Sequence, residues 1–402
     1  GSAFAMNVVI ARQLGADEAG LFFLAYTIVF VAAAVSRLGL DNTFVRFIAA
    51  HQSANEWAEI NGLYKTGVRW ALFASLVVAA CFWILAEPLA ARVFTKPAFA
   101  DVLRVMALAI PFLALFTLHA SALQGIKRIP QSMIVLSVAS PLAVVALAFA
   151  VRPEHAETAG WLVVAATALT LVLGGYWWKQ IPDARGNAIR VGREKILASC
   201  LPLLGVVVLN QTVNWSSQIM LGAWATSADV ALFNAAQRTA MLTSFVLVAV
   251  NSIAAPKFAA MFRMNQHDAL RRTAKHATRL MIILALAPLA LMLAFPDLIL
   301  LLFGAEFTAG ATSLQILAIG QFINVATGSV GFLLAMTGHE RLLRNNVLAA
   351  ATVALALGFG LIPSYGLVGA AIATAVGVAT QNLLSAWQVR RVLGFNTLAV
   401  WR

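Results

Sequence analysis

The fold of this chain is decided by the stretch Leu209–Ala240, LNQTVNWSSQIMLGAWATSADVALFNAAQRTA. It predicts the end of one membrane helix, a short polar turn and the start of the next helix. Asn210, Asn214 and Gln218 recur every four residues, so they share one face of an otherwise apolar helix. The pattern predicts a polar surface inside a membrane-embedded bundle.

Arg238 is the second feature of this stretch. It lies about ten residues into the following helix, roughly at mid-bilayer depth for a rise of about 1.5 Å per residue. An arginine at that depth is costly unless it faces a wet cavity or a partner. Two interpretations stay open: a cavity residue, or a structural arginine bonded to backbone carbonyls or to Asn234.

The composition indicates a polytopic membrane protein. Of 402 residues, 61% are hydrophobic and 11% are charged, whereas soluble domains carry about 25% charged residues. Mean hydropathy is +0.86. The two cysteines, Cys81 and Cys200, lie far apart in apolar runs, so we expect them to be small core residues. The sequence has no metal-ligand motif and no P-loop, so we expect no metal and no cofactor.

Apolar runs bounded by charges and turn residues predict about twelve membrane-spanning helices and an all-α fold. The chain begins with Gly1 directly before an apolar run, so we expect the first span to be truncated. The predicted spans are 1–12, 18–40, 67–90, 101–124, 131–151, 159–178, 196–221, 228–253, 273–303, 309–336, 344–362 and 367–390.

The basic residues predict the orientation. With both termini in the cytoplasm, 21 of the 28 Lys and Arg residues lie on the cytoplasmic side, five lie outside, and Arg37 and Arg238 lie within spans. This asymmetry fits the positive-inside rule with both termini in the cytoplasm and implies contact with an anionic leaflet. The net charge of +12 therefore reports topology and does not support nucleic-acid binding. The cytoplasmic set is Arg46, Lys65, Arg69, Lys127, Arg128, Lys179, Arg185, Arg190, Arg193, Lys195, Lys257, Arg263, Arg271, Arg272, Lys275, Arg279, Arg341, Arg344, Arg390, Arg391 and Arg402, and the outer set is Arg12, Arg92, Lys96, Arg104 and Arg152.

The two halves of the chain resemble each other. An even number of spans per half predicts a parallel repeat, here two six-helix bundles around a central cavity. We expect an N-terminal bundle over 1–178, a cytoplasmic linker over 179–195 and a C-terminal bundle over 196–402. The matching segments are Gly20–Ala25 with Ala231–Ala236 and Arg46–Ala50 with Lys257–Met261 at an offset of 211, and Gln124–Arg128 with Thr337–Arg341 at an offset of 213.

Several motifs resemble one transporter family. Ala11–Phe22, ARQLGADEAGLF, is similar to the signature after the first span of Wzx-type polysaccharide (O-antigen) flippases, which belong to the multidrug/oligosaccharidyl-lipid/polysaccharide (MOP) exporter superfamily. Gly39–Asp41 with Arg46–Phe47 resembles the end of their second span. Ile219–Gly222 followed by Ala231–Ala236 resembles the opening of their second half. The resemblance covers essentially the whole chain in order.

This resemblance implies a non-enzymatic function. Members of the family move an undecaprenyl-diphosphate-linked oligosaccharide from the cytoplasmic to the periplasmic leaflet by alternating access, for O-antigen, capsule or exopolysaccharide assembly. Membrane lipids, the glycan and polysaccharide polymerase or export machinery are then the partners, and the chain is a monomer. Arginine pairs well with phosphate oxygens, and amides suit sugar hydroxyls. The cavity residues predicted to bind substrate are Arg238, Asn210, Asn214, Gln218, Arg37, His119, Gln321 and Asn324, and the predicted gate residues are Arg46 and Lys257.

Each of the other candidates has a structural alternative. Arg37 either meets a diphosphate or extends to the membrane interface. His119 is either a titrating cavity group or a hydrogen-bonded core histidine. Arg46 and Lys257 either anchor helix ends in anionic lipid or form a gate. The pair Gln381–Asn382 either lines the cavity or bonds across helices.

One departure from the family pattern concerns the driving force. The family often has an aspartate at the position of Ser217, and the sequence places no carboxylate at mid-span. This weakens the case for coupling to a proton or sodium ion. It also argues against the first alternative function, a MATE-like small-molecule exporter, which needs a buried carboxylate. A membrane polymerase or ligase, the second alternative, needs a large external loop, and the longest external loops here are 92–101 and 152–158.

Overall fold

A computed structural model describes residues 1–189 and 192–399. Over these two ranges the chain forms α-helices with short 3-10 and π-helical turns and no β-strand, which confirms the predicted all-α class. The α-helices are α1 Ser2–Ser36, α2 Leu40–Ser53, α3 Trp57–Pro88, α4 Phe99–Ala107, α5 Ala109–Gly125, α6 Ile129–Met133, α7 Ser140–Val151, α8 Ala156–Lys179, α9 Arg193–Trp224, α10 Ser227–Ala240, α11 Phe245–Arg263, α12 His267–Ala294, α13 Pro296–Leu300, α14 Ala311–Ala326, α15 Val330–Met336 and α16 Glu340–Leu393.

The helices identify a multi-pass membrane protein. A bilayer core of about 30 Å requires about 20 apolar residues in a helix. Within the two described ranges, nine helical segments meet this requirement, and the predicted total of about twelve stays a prediction. The nine segments are Ser2–Ser36, Trp57–Val93, Phe99–Gly125, Ile129–Val151, Ala156–Lys179, Ile196–Trp224, His267–Ala294, Ala305–Met336 and Glu340–Leu393.

Two of these segments, Ser2–Ser36 and Glu340–Leu393, are interrupted by a residue with non-helical backbone angles. Gly15 in α1 has a φ of 72°, and Gly366 in α16 has a φ of 48°, so each interrupts the helical geometry. A residue with a Cβ rarely adopts this left-handed region, which explains glycine at both positions. Gly15 lies between the predicted spans 1–12 and 18–40, and Gly366 lies between the predicted spans 344–362 and 367–390.

The outward surface of the helices is apolar. On α3, Phe73 is 73% exposed and Ile84 is 67% exposed, and Trp83 is exposed as well. In water such a continuous apolar surface would be unfavourable, whereas hydrocarbon is its natural solvent. The exposed residues therefore mark the lipid-facing side of this helix.

The chain divides into two compact units, unit 1 (Gly1–Val208) and unit 2 (Leu209–Arg402). In unit 1, α5 is buried along most of its length and packs against α2, α3 and α8. Ile196 and Cys200 of α9 pack into the same apolar cluster as Phe44. This packing assigns the first half of α9 to unit 1.

The division at 208/209 falls inside α9, after the predicted linker 179–195. The predicted domain boundaries at 178/179 and 195/196 stay a prediction. Arg190 and Arg402, two of the cations used to predict the orientation, lie outside the described residues.

Unit 2 is organised around α14, which packs against α10, α12 and α16. The turn between α9 and α10 is fixed by a capping box at the start of α10. The Asp229 backbone N–H donates to Thr226 Oγ1 at 3.1 Å, and the Thr226 backbone N–H donates to Asp229 Oδ2 at 3.1 Å. This arrangement satisfies backbone donors at the helix N-terminus, so α10 starts at a defined residue.

The internal repeat predicted from the sequence is also present in the backbone, in two pairs of equivalent turns. Asn55 and Asn265, 210 positions apart, both have positive φ, 60° and 53°. In each case the next residue donates its N–H to a carbonyl five residues earlier: Glu56 to His51 and Gln266 to Met261, both at 2.9 Å. The same helix ending has therefore formed twice.

The second repeated turn refines the predicted register. Lys127 and Gly338 have φ values of 63° and 81° and lie 211 positions apart. The Arg128 N–H donates to the Leu123 carbonyl at 2.9 Å, and the His339 N–H donates to the Leu334 carbonyl at 2.8 Å. The structural offset is thus 211, and the offset of 213 predicted for this pair of turns is wrong by two residues.

The orientation of unit 1 gives a first testable prediction. The helix α8 has 24 residues, a length of about 36 Å, and spans a hydrocarbon core of about 30 Å. We expect a cysteine at Glu154 to react with a membrane-impermeant maleimide in intact cells, and one at Gly186 to react only after permeabilisation. Both single-cysteine variants carry Cys81→Ser and Cys200→Ala, and both should label in detergent. Labelling of both positions from the same side would contradict the predicted topology.

Candidate functional site

A polar cavity lies within unit 2. Its volume is about 320 Å³, at the lower end of the about 300–1,000 Å³ typical of ligand pockets. Its walls are formed by α9, the start of α11 with the turn before it, α14 and the second half of α16. The lining residues are Asn210, Val213, Asn214, Met241, Ser244, Phe245, Val248, Gln321, Asn324, Val378, Gln381 and Asn382.

Helical spacing explains how the carboxamides converge. Asn210 and Asn214 are four residues apart on α9, and Gln321 and Asn324 are three apart on α14, so each pair shares a helix face. The structure brings these four predicted residues to one cavity. The pair Gln381–Asn382, whose placement the sequence left open, lies in the same wall.

Hydrogen bonds hold the α11–α14 side of the cavity in place. The Ser244 hydroxyl donates to Gln321 Oε1 at 2.6 Å. Asn324 Nδ2 donates to Gln321 Oε1 at 3.3 Å and to Ser244 Oγ at 3.4 Å. On α9, Asn214 Nδ2 donates to the Asn210 carbonyl at 2.7 Å. The wall thus presents fixed amide and hydroxyl groups.

Ser244 was not predicted from the sequence. It ends a 3-10 turn, Met241–Ser244, that separates α10 from α11 and lies against the cavity. No proline occurs in this turn. Its side-chain contacts hold it instead: Ser244 bonds to Gln321, and Thr243 Oγ1 donates to Met292 Sδ at 3.7 Å. A single serine in an apolar segment carries no periodic signal that would have identified it.

Gln218, the third residue of the predicted ladder, lies outside the cavity wall. Its side chain is fully buried, and its Oε1 accepts a hydrogen bond from Asn234 Nδ2 at 3.4 Å. Gln237 Nε2 likewise donates to the Asn214 carbonyl at 2.8 Å. This part of the ladder therefore joins α9 to α10, while Asn210 and Asn214 face the cavity.

Arg238 lies in the last turn of α10 and is half-buried. It is eleven residues after Ser227, about 17 Å along the axis at about 1.5 Å per residue. Its guanidinium carbon lies 4.7 Å from the centroid of the Trp215 ring, a cation–π contact. Arg238 does not line the cavity. The position near a helix C-terminus also favours a positive charge.

Arg37 follows α1 in unit 1 and pairs with Asp41. Their side chains are only 11% and 19% exposed, and Arg37 Nε lies 3.3 Å from Asp41 Oδ2. The Arg37 side chain is thus held at the end of the span by an ion pair with Asp41, four residues later in the chain.

His119 lies in the core of unit 1 and not at its surface. Its Nδ1 is 2.7 Å from the Leu115 carbonyl oxygen, and its Nε2 is 2.9 Å from the Tyr64 hydroxyl. A carbonyl can only accept, so we place the proton on Nδ1 and the Tyr64 hydroxyl as donor to Nε2. Tyr64 stacks on Trp178 with ring centroids 4.4 Å apart. This placement agrees with the core-histidine alternative.

The bond between Tyr64 and His119 gives a second prediction. Tyr64→Phe keeps the stacking on Trp178 and removes the hydroxyl that bonds to His119 Nε2. We expect a loss of about 1 kcal/mol in the free energy of unfolding, since a buried acceptor loses its donor. Thermal unfolding in detergent measures this loss. Transport should stay normal, and a transport defect at full stability would instead favour His119 as a cavity group.

The predicted gate residues Arg46 and Lys257 are both exposed. Each precedes a phenylalanine at the equivalent position of the repeat. Phe47 packs against the core of unit 1, and Phe258 is fully buried in the core of unit 2. The two cations occupy similar positions on α2 and α11, and the gate role stays a prediction. Over the described residues, no three His, Cys, Asp or Glu side chains form a metal-binding group.

Residues 1–262 match the family model described as "Polysaccharide biosynthesis protein". The chain belongs to the polysaccharide biosynthesis protein family. This family member is also 26% identical over 174 residues to a curated protein of Haloferax volcanii named "Probable low-salt glycan biosynthesis flippase Agl15". The match covers 43% of the chain and 37% of that relative, so the chain spans well under half of its length.

Solved structures confirm the fold of this family member. It resembles an inward-facing multidrug resistance MATE family transporter of the MOP superfamily, with a TM-score of 0.73, 16% identity, and 98% and 94% of the two chains covered. It also resembles the lipid II flippase MurJ, with a TM-score of 0.72, 11% identity, and 97% and 85% covered. A MOP superfamily transporter from Pyrococcus furiosus gives a TM-score of 0.64, 15% identity, and 98% and 91% covered. The chain therefore shares the fold of MOP superfamily transporters, as the resemblance predicts.

Proposed function

We propose that this protein is a flippase that moves a lipid-linked glycan across the cytoplasmic membrane. The observation that carries the proposal is the amide-lined cavity of unit 2 in a member of the polysaccharide biosynthesis family. Carboxamides both donate and accept hydrogen bonds, which suits the hydroxyls of a sugar. The curated flippase relative supports the same class of cargo.

The finer proposal concerns the carrier lipid and the direction. We infer an undecaprenyl-diphosphate-linked oligosaccharide moved from the cytoplasmic to the outer leaflet by alternating access. The product feeds assembly of a surface polysaccharide such as O-antigen, capsule or exopolysaccharide. The protein acts as a monomer in the inner membrane with both termini in the cytoplasm. Its partners are membrane lipids and the polymerase or export machinery that takes up the product.

The diphosphate of such a cargo needs cations in a site of low dielectric. We assign this role to Arg238, the charged side chain between Asp229 and Lys257 in the sequence. Its guanidinium forms paired, charge-assisted hydrogen bonds with phosphate oxygens. Arg37 remains a second candidate, although its pairing with Asp41 already uses part of its charge. Arg46 and Lys257 remain proposed gate residues.

A small-molecule exporter is the nearest alternative, because the fold is shared with a multidrug transporter. Exchange of a cation for a cationic drug needs an acidic group in the binding site. The twelve residues lining the cavity of unit 2 include no carboxylate. The observation favours an uncharged, hydroxyl-bearing ligand over a cationic one.

Complementation tests the proposed function. The full-length gene is expressed in a bacterium that lacks its own O-antigen flippase, and polymerised polysaccharide is measured at the cell surface. The proposal predicts restoration of surface polysaccharide. New resistance to cationic drugs without surface polysaccharide would instead identify an exporter.

A further inference from the structure

The described residues that line the cavity of unit 2 carry no charge. Six of its twelve lining residues carry carboxamides and one, Ser244, carries a hydroxyl; the other five are apolar. The helices that form it are uncharged over long stretches, since 196–228, 311–336 and 345–389 contain no Asp, Glu, Lys or Arg. Arg238 lies outside the wall and stacks on Trp215. The wall therefore offers hydrogen bonds without a counter-charge.

The chemistry of this wall favours one class of ligand. A phosphate or a carboxylate that enters the cavity loses its hydration and finds no cation in the wall, which is unfavourable. A hydroxyl loses less and regains bonds, because a carboxamide has two N–H donors and an acceptor oxygen, and the hydrogen bonds within the wall use only part of these groups. The site thus suits uncharged, hydroxyl-rich groups.

The shape and the apolar residues point to the same ligand class. A volume of about 320 Å³ is that of a small pocket. Phe245 and Met241 lie beside Ser244 in the wall and offer an apolar surface to the C–H face of a sugar ring. Phe245 and Val248 are 52% and 62% exposed, so the cavity is accessible from outside unit 2. An amphipathic ring with hydroxyls on its edge matches this combination.

We propose that the cavity is a subsite for an uncharged sugar of the cargo, and that it selects against sugars that carry a carboxylate. The inference rests on the proposed function for the identity of the cargo. In this proposal, different side chains of the protein recognise the glycan and the diphosphate. Gln321, Asn324 and Asn382 are the specificity residues, since they present carboxamides from α14 and α16.

Transport of two defined cargoes tests this selectivity. Two flippase-deficient hosts are used, one that assembles a lipid-linked oligosaccharide of uncharged sugars and one whose oligosaccharide contains a uronic acid. We expect the protein to export the uncharged cargo at least about tenfold better than the acidic one. Equal export of both cargoes would overturn the subsite and leave the flippase function intact.

Variants within one helix localise the effect. Gln321→Leu removes a carboxamide from the cavity, whereas Gln315→Leu removes one from the same helix, where it bonds to the Leu293 carbonyl outside the cavity. We expect export of the uncharged cargo to fall roughly fivefold for Gln321→Leu and to stay near normal for Gln315→Leu. Asn382→Ala should match Gln321→Leu without disturbing Ser244. Normal export by both cavity variants would overturn the proposal.

A binding measurement separates the subsite from transport. In the full chain lacking Cys81 and Cys200, a cysteine at Val248 reports on access to the cavity in detergent. We expect the free uncharged oligosaccharide, at millimolar concentration, to slow maleimide labelling more than the uronic-acid oligosaccharide does. Equal slowing by both, or by neither, would overturn the subsite. Selective protection without export of either cargo would overturn the flippase function and leave the saccharide site standing.

Discussion

Replacement of Arg238 by alanine is expected to reduce export of surface polysaccharide at least about a hundredfold, because two charge-assisted hydrogen bonds to phosphate are lost. The protein itself should remain in the membrane at normal levels. The cation–π contact with Trp215 contributes only about 0.5–2 kcal/mol. Export per molecule of membrane protein is the quantity to measure.

Two further variants sharpen the test of Arg238. Arg238→Lys keeps the charge but not the planar fork, so we expect intermediate export. Arg341→Ala removes an exposed cation from α16 and should leave export close to normal. Normal export by Arg238→Ala would show that this residue does not bind the cargo.

Gly39→Ala is expected to destabilise unit 1 by about 3 kcal/mol or more. Gly39 has a φ of 76°, and an added Cβ would lie 2.5 Å from the Cys200 carbonyl oxygen and 2.8 Å from the Leu204 nitrogen. Both neighbours are backbone atoms of α9, so no side-chain rotation relieves the overlap. The strained φ adds to the cost.

The fraction of monodisperse protein in detergent and its thermal midpoint measure this loss. Gly205→Ala is the matched control. Gly205 lies on α9, the helix that an added Cβ at Gly39 would meet, and no atom lies within 4 Å of a Cβ added at Gly205 itself. Its midpoint should be unchanged or slightly higher. Equal stability of the Gly39→Ala and Gly205→Ala variants would contradict the close packing of the α1–α2 turn on α9.

The sequence predicts helical spacing better than it predicts which neighbour a helix meets. Asn210 and Asn214, and Gln321 and Asn324, share cavity-facing positions because their spacing of three or four residues determines the face. Gln218 has the same spacing, yet it meets Asn234 of α10. Periodicity along α9 cannot distinguish a cavity from a neighbouring helix, since both lie on one face.

Other features depend on tertiary contacts that leave no local pattern. The 3-10 turn Met241–Ser244 contains no proline or glycine and depends on Gln321, 77 residues after Ser244. The sequence of the second turn predicts a repeat offset two residues too large, because the identical residues Gly125/Gly338 and Arg128/Arg341 match at an offset of 213. The backbone pairs Lys127 with Gly338 instead, since the left-handed conformation is what recurs.

The polar cavity also shows how an apolar chain keeps a defined interior. Hydrogen bonds between membrane helices are worth about 0.6 kcal/mol on average, so the amide contacts around Ser244 add little to stability. In the proposed function their fixed geometry serves recognition, because a sugar would meet donors and acceptors that are already oriented. The proposal assigns the diphosphate to groups outside this wall.

Reconstitution tests the central claim most directly. The purified full chain is placed in liposomes that contain a lipid-linked oligosaccharide of uncharged sugars in both leaflets, and a glycan-cleaving enzyme is added outside. The account predicts that wild-type protein exposes the whole cargo pool to the enzyme, and that Arg238→Ala and Gln321→Leu slow this exposure while Gln315→Leu does not. If wild-type protein leaves the inner-leaflet cargo as protected as it is in protein-free liposomes, the proposed flippase function is wrong.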